Sequence, residues 1–208
     1  MPIISDQLID RTLKEYGISG NPFMRTGIQK YISLLLRWNE RISLTTITDP
    51  LDILRFHFGE SMFAASVIPI RNGRLADVGS GPGFPGLPLK ILVPSLDLVL
   101  IESNAKKASF LSECLRELNL EGVEVVRSRF EHLDDAGLDF DFITARALGG
   151  YRRLIEWAQK SLASSGELVL WLGQDEAVKL QRDSSIEWRP PISVPNSDRR
   201  VILVGSRK

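Results

Sequence analysis

The chain has 208 residues, of which 43% are hydrophobic and 25% charged, and its 26 basic and 26 acidic residues give zero net charge. This composition is typical of a globular protein with a substantial core, and the balanced charge argues against nonspecific binding of nucleic acid. The single cysteine, Cys114, excludes an internal disulfide and a cysteine-based metal cluster. No apolar run reaches the roughly 18 residues of a membrane span, and a basic secretion start is absent. We therefore expect a cytoplasmic protein with no membrane partner.

The first 70 residues have a helical pattern. Ser5, Asn21-Pro22 and Asp49-Pro50 are start signals for three helices, and apolar residues recur at helical spacing in the second of them. We therefore expect a helical extension over residues 1–70, followed by a second domain over residues 71–208.

From residue 71 onward, short apolar runs alternate with helix-like stretches. The apolar runs lie at 75–78, 96–101, 123–126, 140–145 and 168–172, and the helical stretches at 87–93, 106–118, 151–162 and 176–182. This alternation predicts an α/β fold with a parallel sheet covered by helices on both faces. The apolar runs 192–194 and 201–204 flank a polar turn and predict a final antiparallel hairpin.

A glycine-rich loop follows the first predicted strand, with the sequence DVGSGPGFPG over residues 77–86. Glycine lets the backbone turn sharply and approach a ligand closely, and parallel sheets bind ligands at the carboxyl ends of their strands. An ordinary turn does not need four glycines in eight positions. The pattern therefore predicts a cofactor site that includes Gly79, Gly81 and Gly83.

Two classes of cofactor are compatible with this loop. Residues 81–86 match the G-x-G-x-x-G pattern of dinucleotide sites, and Glu102 follows at about the expected distance. A pyrophosphate needs free backbone N–H groups, whereas the three prolines between residues 82 and 88 have none. Asp77 also suits the sulfonium and ammonium groups of S-adenosylmethionine better than a diphosphate. The residues favour S-adenosylmethionine, with Asp77 near the loop and Glu102 accepting the ribose hydroxyls.

The run DVGSGPGFPGLPL over residues 77–89 resembles the signature of the bacterial ribosomal small-subunit RNA methyltransferase G family, also called the glucose-inhibited division protein B family. Weaker similarities occur in the family's order along nearly the whole chain, at Trp38-Asn39, Leu44-Thr45, His57, Glu60-Ser61, Lys106-Lys107, Phe110-Leu111, 126–131 and 144–147. The resemblance implies a Rossmann-like class I methyltransferase fold. In that fold a mostly parallel seven-stranded sheet ends in an antiparallel hairpin, and the N-terminal helices pack on the sheet.

The resemblance also implies that S-adenosylmethionine donates a methyl group to N7 of a guanine in small-subunit ribosomal RNA. The cofactor contacts that carry over from the family are Gly79, Phe84, Phe130, Glu131 and Arg146. Guanine N7 has an in-plane lone pair and no proton, so its attack on the methyl group needs no general base. We therefore assign no catalytic acid or base and no metal site, and expect catalysis by positioning and electrostatics.

Four arginines and one histidine are candidates for substrate binding. Arg127 and Arg129 should share one face of a strand because they alternate along it, and Arg199 and Arg200 lie near the hairpin turn. Arginine suits phosphate groups and stacking on a base, although a solvated surface is an equally open interpretation. His57 could contact substrate or be a buried histidine that orients the helices.

We expect a monomer. The zero net charge suggests that naked RNA binds weakly and that recognition is completed within an assembled 30S particle. Two alternatives remain open: a class I methyltransferase that acts on a protein or small molecule, and a noncatalytic module that binds the cofactor as a structural ligand. Position 172 carries a leucine where the family usually has a lysine, so a cation near the active face is lost.

Overall fold

The computed structural model describes residues 4–133, 138–183 and 185–208. Its N-terminal elements are α1 (Asp6–Lys14), α2 (Pro22–Asn39), α3 (Pro50–Ile53), a π-helical turn (Leu54–Gly59) and α4 (Glu60–Val67). The predicted start signals are confirmed, because the side-chain oxygens of Ser5, Asn21 and Asp49 accept hydrogen bonds from first-turn N–H groups of α1, α2 and α3.

The predicted, mostly parallel sheet with an antiparallel C-terminal hairpin is confirmed. Its strands are β1 (Gly73–Val78), β2 (Leu96–Ile101), β3 (Val123–Val126), β4 (Phe140–Arg146), β5 (Leu162–Gly173), β6 (Ile186–Trp188), β7 (Ile192–Ser193) and β8 (Arg200–Arg207). They are ordered β3-β2-β1-β4-β5-β8-β6, and β7 also pairs with β8. The first five strands pair in parallel, and β8 runs antiparallel to β5, β6 and β7.

Two short strands share one side of β8. Trp188 of β6 pairs with Gly205 near the end of β8, whereas Ile192 of β7 pairs with Ile202 nearer its start. The Pro190-Pro191 pair lies between them, and proline cannot donate a ladder hydrogen bond. β6 and β7 thus occupy one position in the sheet, so the eight strands fill the seven positions that were expected. β6 is the strand that the sequence pattern did not predict.

Helices cover both faces of the sheet. The remaining helices are α5 (Gly86–Leu92), α6 (Ala105–Leu118), α7 (Tyr151–Ser161) and α8 (Gln174–Leu180), each within two residues of its predicted bounds. The N-terminal helices, α5 and α6 share a hydrophobic core on one face, and α7 and α8 cover the other. The domain boundary at residue 70 stays a prediction. Within the described ranges, no helix has the length and apolar character needed to cross a membrane.

Phe58 tests the packing of the N-terminal helices. Its buried ring contacts Tyr31 and Phe84 edge to face, at centroid distances of 5.2 and 5.7 Å. We expect Phe58→Ala to lower the free energy of unfolding by about 3–5 kcal/mol, the usual cost of removing a buried phenylalanine, as measured by urea denaturation. Phe23 is 50% exposed, so Phe23→Ala should change it by less than about 0.5 kcal/mol. Equal losses in the two variants would contradict this packing.

Candidate active site

The glycine-rich loop lies at the carboxyl end of β1 and leads directly into α5. The Gly79 N–H donates to the Ile101 carbonyl at 2.9 Å, which fixes the start of the loop on β2. Gly79, Gly81 and Gly83 have φ angles of 69°, 57° and 93°, a region that residues with side chains rarely adopt. A Cβ atom at Gly83 would lie 2.5 Å from the Tyr31 hydroxyl oxygen. Glycine is therefore required there for the close contact between the loop and α2.

Asp77 lies beneath the loop and is fully buried. Its Oδ2 accepts a hydrogen bond from the Gly86 N–H at 3.1 Å, and its Oδ1 accepts one from the Thr144 hydroxyl at 2.9 Å. Burial raises the pKa of Asp77 to about 7, although these hydrogen bonds act in the opposite direction. The carboxylate thus fastens the start of α5 to β1 and β4, while a direct contact with the cofactor stays a prediction.

Glu102 holds the loop from the end of β2. Its Oε2 accepts a hydrogen bond from the Gly81 N–H at 2.8 Å, and its Oε1 accepts one from the Asn104 N–H at 2.7 Å. A carboxylate offers about four lone-pair sites. Glu102 therefore supports the loop and keeps acceptor capacity for hydroxyl groups of a ligand.

Phe84 links the loop to the N-terminal helices. Its ring stacks between Tyr31 at a centroid distance of 5.4 Å and His57 at 4.5 Å. The Tyr31 hydroxyl also donates a hydrogen bond to the Pro82 carbonyl. The loop is consequently held on one side by strands of the sheet and on the other by aromatic side chains of the N-terminal helices.

His57 is fixed by a short chain of hydrogen bonds. Its Nε2 lies 2.8 Å from the Thr45 hydroxyl oxygen. Asn39 in turn accepts from the N–H groups of Leu44 and Thr45 and donates to the Thr45 carbonyl. Burial, reinforced by two nearby arginines, lowers the pKa of His57 to about 3, so the ring is neutral at physiological pH.

These elements enclose a cavity of about 250 Å³, termed here the loop cavity. Its lining residues are Leu44, Thr45, His57, Gly79, Ser80, Gly81, Pro82, Phe84, Lys107, Arg146 and Ala147. Five of them were singled out from the sequence, namely Gly79, Gly81, Phe84, Arg146 and His57. The structure therefore brings the central part of the predicted cofactor site together.

A buried carboxylate, Glu60, pairs with two arginines at the edge of this cavity. Its Oε2 lies 3.0 Å from Arg146 Nη2, and its Oε1 lies 2.9 Å from Arg200 Nη1. Arg146 Nη1 is buried and has no hydrogen-bond partner within the described part of the chain. This guanidinium therefore keeps unused donor capacity beside the cavity that Arg146 lines.

The sequence is similar to a known family over most of its length. Residues 24–199 match the family described as rRNA small subunit methyltransferase G. The chain belongs to this family. The ribosomal RNA small subunit methyltransferase G of Xylella fastidiosa strain 9a5c is 39% identical over 182 residues, which cover 85% of this chain and 84% of that protein. The protein of the same name from Chromohalobacter salexigens is 33% identical over 203 residues, covering 96% of each.

Solved structures share the fold. A SAM dependent methyltransferase from Aquifex aeolicus aligns with a TM-score of 0.63 at 15% identity, covering 74% of this chain and 92% of that chain. The ribosomal protein L11 methylase from Lactobacillus delbrueckii subsp. bulgaricus aligns with a TM-score of 0.62 at 16% identity, covering 74% and 79%. The predicted class I methyltransferase fold and the predicted methyltransferase G family are confirmed.

Two contacts expected from the methyltransferase G family lie outside the loop cavity. The Phe130 ring packs in the core against Trp157 at a centroid distance of 5.7 Å. Glu131 Oε1 lies 3.7 Å from Arg153 Nη1 at the surface. Neither Phe130 nor Glu131 lines the loop cavity, so their contact with the cofactor stays a prediction.

The expected placement of Arg127 and Arg129 on a strand is wrong. β3 ends at Val126, where the backbone turns, and both arginines follow it as exposed residues. Arg199 is exposed beside the first residue of β8, Arg200. Four strands separate β3 from β8, and neighbouring strands are about 4.8 Å apart, so the two arginine pairs lie roughly 24 Å apart. They flank one edge of the sheet and do not form a single cluster.

Three polar residues of the loop cavity were not predicted as site residues: Thr45, Ser80 and Lys107. Thr45 and Ser80 belong to the motifs that carry the family resemblance. Lys107 also belongs to one of these motifs and lies half-buried in the first turn of α6. A basic residue is unfavourable at the positive end of a helix dipole. This unfavourable position is the sequence signal that would have identified Lys107 as a site residue.

Asp77→Asn tests the cost of burying this carboxylate. Because the pKa of Asp77 is raised from 3.8 to about 7, the folded state keeps a proton that the unfolded state releases. This group should therefore reduce stability as the pH rises from about 4 to about 7, by about 1.4 kcal/mol per pKa unit. Asparagine carries no charge and should remove this loss of stability. In urea titrations, the unfolding free energy of Asp77→Asn minus that of wild type should therefore increase as the pH rises.

The matched control is Asp175→Asn, at an exposed acid in the first turn of α8. The unfolding free energy of this variant relative to wild type should show no shift in its favour as the pH rises. The absence of such a shift for Asp77→Asn would contradict the effect of the buried charge.

Proposed function

We propose that this protein transfers the methyl group of S-adenosylmethionine to N7 of a guanine in small-subunit ribosomal RNA. The observation that carries the proposal is the loop cavity, which is lined by Gly79 and Gly81 of the glycine-rich loop and by Arg146, whose guanidinium has one unpartnered nitrogen within the described residues. Membership of the rRNA small subunit methyltransferase G family supports the class of substrate.

The loop cavity fits the groups of S-adenosylmethionine, which supplies an electrophilic methyl group when bound. The guanidinium of Arg146 can donate to the carboxylate of the methionine part. Glu102 does not itself line the cavity, but it holds Gly81 of the lining and has lone pairs left to accept hydrogen bonds from ribose hydroxyls. Pro82 lines the cavity without an N–H group, which suits a cofactor that has no phosphate to bind.

The residues of the site position the reactants and exchange no protons with them. The acceptor nitrogen carries no proton, so the rate depends on alignment of donor and acceptor and on electrostatics. His57 is neutral at physiological pH because its pKa is about 3, and its ring stacks on Phe84. Its role in this mechanism is therefore to shape the cavity wall.

We also propose that the protein acts as a monomer on an assembled small subunit. The net charge is zero, and the four candidate arginines lie at two separate places, so they attract RNA only locally. A structured particle would supply the remaining contacts. Among the described residues, the exposed large hydrophobic side chains are those of Phe23 and Val178, which leaves little apolar surface for stable self-association. Since bacterial ribosomal subunits are assembled in the cytoplasm, the proposed reaction belongs to that compartment.

Gly81→Arg should abolish cofactor binding. A Cβ atom at Gly81 would meet only the Gly79 carbonyl oxygen, at 3.8 Å, so the cost to folding is the backbone strain at a φ of 57° and not a clash. The arginine side chain should fill the loop cavity. We expect calorimetry to show saturable S-adenosylmethionine binding by wild type and binding weakened at least about 100-fold, or about 2.7 kcal/mol, by the variant.

Gly122→Arg is the matched control. Gly122 has a similar φ of 64° but precedes β3 at the opposite edge of the sheet, so this variant should bind S-adenosylmethionine like wild type. Binding of NAD in place of S-adenosylmethionine would overturn the proposed cofactor.

The form of the RNA substrate is tested by comparing assembled small subunits with deproteinised RNA. We expect 7-methylguanosine in digests of the RNA by mass spectrometry, with at least about tenfold higher turnover on assembled subunits because naked RNA meets only the local arginines. The triple variant Arg127→Ala/Arg129→Ala/Arg199→Ala should bind RNA more weakly and with a smaller salt dependence, while its affinity for S-adenosylmethionine is unchanged.

Equal turnover on the two forms of RNA would contradict the requirement for an assembled particle. Methylation of a protein or a small molecule, with full turnover in the triple variant and no methylated RNA, would instead support the alternative class of substrate.

A further inference from the structure

A second cavity of about 220 Å³ lies beside the loop cavity and is termed here the side cavity. The two cavities share the wall formed by Arg146 and Ala147, at the end of β4. Direct methyl transfer requires the acceptor atom to lie next to the donor and in line with it. A cavity that adjoins the cofactor site through two residues is therefore the place from which an acceptor can reach the methyl group.

The side cavity has aromatic and apolar walls. Trp171 lies at the end of β5, and its position is fixed by a 2.8 Å hydrogen bond from its Nε1 to the Glu60 carbonyl. Tyr151 at the start of α7 and Leu172 complete this part of the lining. Aromatic side chains of this kind stack on or pack against unstacked nucleic-acid bases, so the lining suits a planar base.

Two glutamates line the side cavity, and among the residues that the structure describes only one of them forms ion pairs with arginine. Glu60 is bound to both Arg146 and Arg200. Glu176, in the first turn of α8, also lines the cavity, but it is exposed and has no hydrogen bond or ion pair within the described residues. Burial, together with the negative charge of Glu176, raises the pKa of Tyr151 to about 12. Glu176 is thus a free carboxylate close to an aromatic wall.

We propose that the side cavity binds the guanine to be methylated and that Glu176 selects it by accepting hydrogen bonds from its N1–H and N2–H₂ groups. The inference rests on the proposed function and adds the residues that choose the base. An ionised carboxylate only accepts hydrogen bonds, and among the bases of RNA guanine presents two adjacent donors on its Watson–Crick edge. Enzymes that act on an extruded base commonly read that edge.

This orientation also places the reacting atom correctly. N7 lies on the side of the purine opposite N1 and N2, so a base held at Glu176 turns N7 towards the part of the cavity next to the donor. The N7 lone pair forms the new N–C bond while the electrons of the S–CH₃ bond return to sulfur. The products are S-adenosylhomocysteine and a guanine with a positive charge, which the carboxylate of Glu176 stabilises.

Glu176→Gln removes the negative charge and one of the two acceptors while keeping the size of the side chain. We expect kcat/KM on assembled small subunits to fall by about 10–100-fold, the usual value of a good two-bond base contact, with unchanged affinity for S-adenosylmethionine. Asp175→Asn is the matched control, since Asp175 is an exposed neighbour on α8 that does not line the side cavity, and it should keep wild-type kcat/KM.

A second readout separates recognition of the base from a general loss of activity. Subunits are reconstituted with inosine, which lacks the N2 amino group, at the guanosine found to be methylated. Wild type should prefer guanosine over inosine by about tenfold or more, and both Glu176→Gln and Glu176→Ala should lose most of that preference. A merely structural effect would lower both activities and leave their ratio unchanged.

The outcomes distinguish this inference from the proposed function. Formation of 7-methylguanosine by wild type, with kcat/KM and base preference retained in both Glu176 variants, would overturn the role of Glu176 and leave the proposed function standing. Absence of RNA methylation by wild type that binds S-adenosylmethionine would overturn the proposed function itself.

Discussion

Two buried carboxylates, Asp77 and Glu102, accept hydrogen bonds from backbone N–H groups of Gly86 and Gly81 and so fix the glycine-rich loop on the sheet. A buried carboxylate is tolerated only when its oxygens are hydrogen-bonded, and all four oxygens of these two acids are used in this way. A loop rich in glycine has unusually large conformational freedom to lose. The carboxylates restrict that freedom in the folded protein, so less of it remains to be lost when a ligand binds.

The N-terminal helices complete the same site from the opposite side. Tyr31 and His57 stack on the two sides of Phe84, and Tyr31 also binds a carbonyl of the loop. The helices that precede the sheet therefore take part in shaping the cofactor cavity as well as covering a hydrophobic face. A change in the packing of these helices reaches the loop through the Phe84 ring and through the hydrogen bond of Tyr31 to Pro82.

Much of this arrangement could be predicted because its signals are local. Apolar runs indicate strands, capping residues mark the starts of helices, and the glycines at 79–86 determine the backbone of the loop through their own φ angles. The pairing of Glu60 with Arg146 and Arg200 has no local signal, because the three residues come from α4, β4 and β8 and meet only through the topology. The placement of Arg127 and Arg129 was wrong for a different reason: β3 ends with its apolar run at Val126, and the alternation of the two arginines beyond that run does not continue the strand.

The π-helical turn at Leu54–Gly59 sets the rotational phase of the helix that follows it. A π-turn holds about one residue more than an α-turn, and one residue corresponds to about 100° of rotation around the axis. Glu60 is the first residue after this turn, so its direction towards the two arginines depends on that additional residue. In an uninterrupted α-helix the same sequence would place Glu60 on a different side of the helix. The guanidinium groups of Arg146 and Arg200 would then lose the carboxylate that they share. Chain length in this segment is therefore as strict a requirement as the chemistry of Glu60 itself.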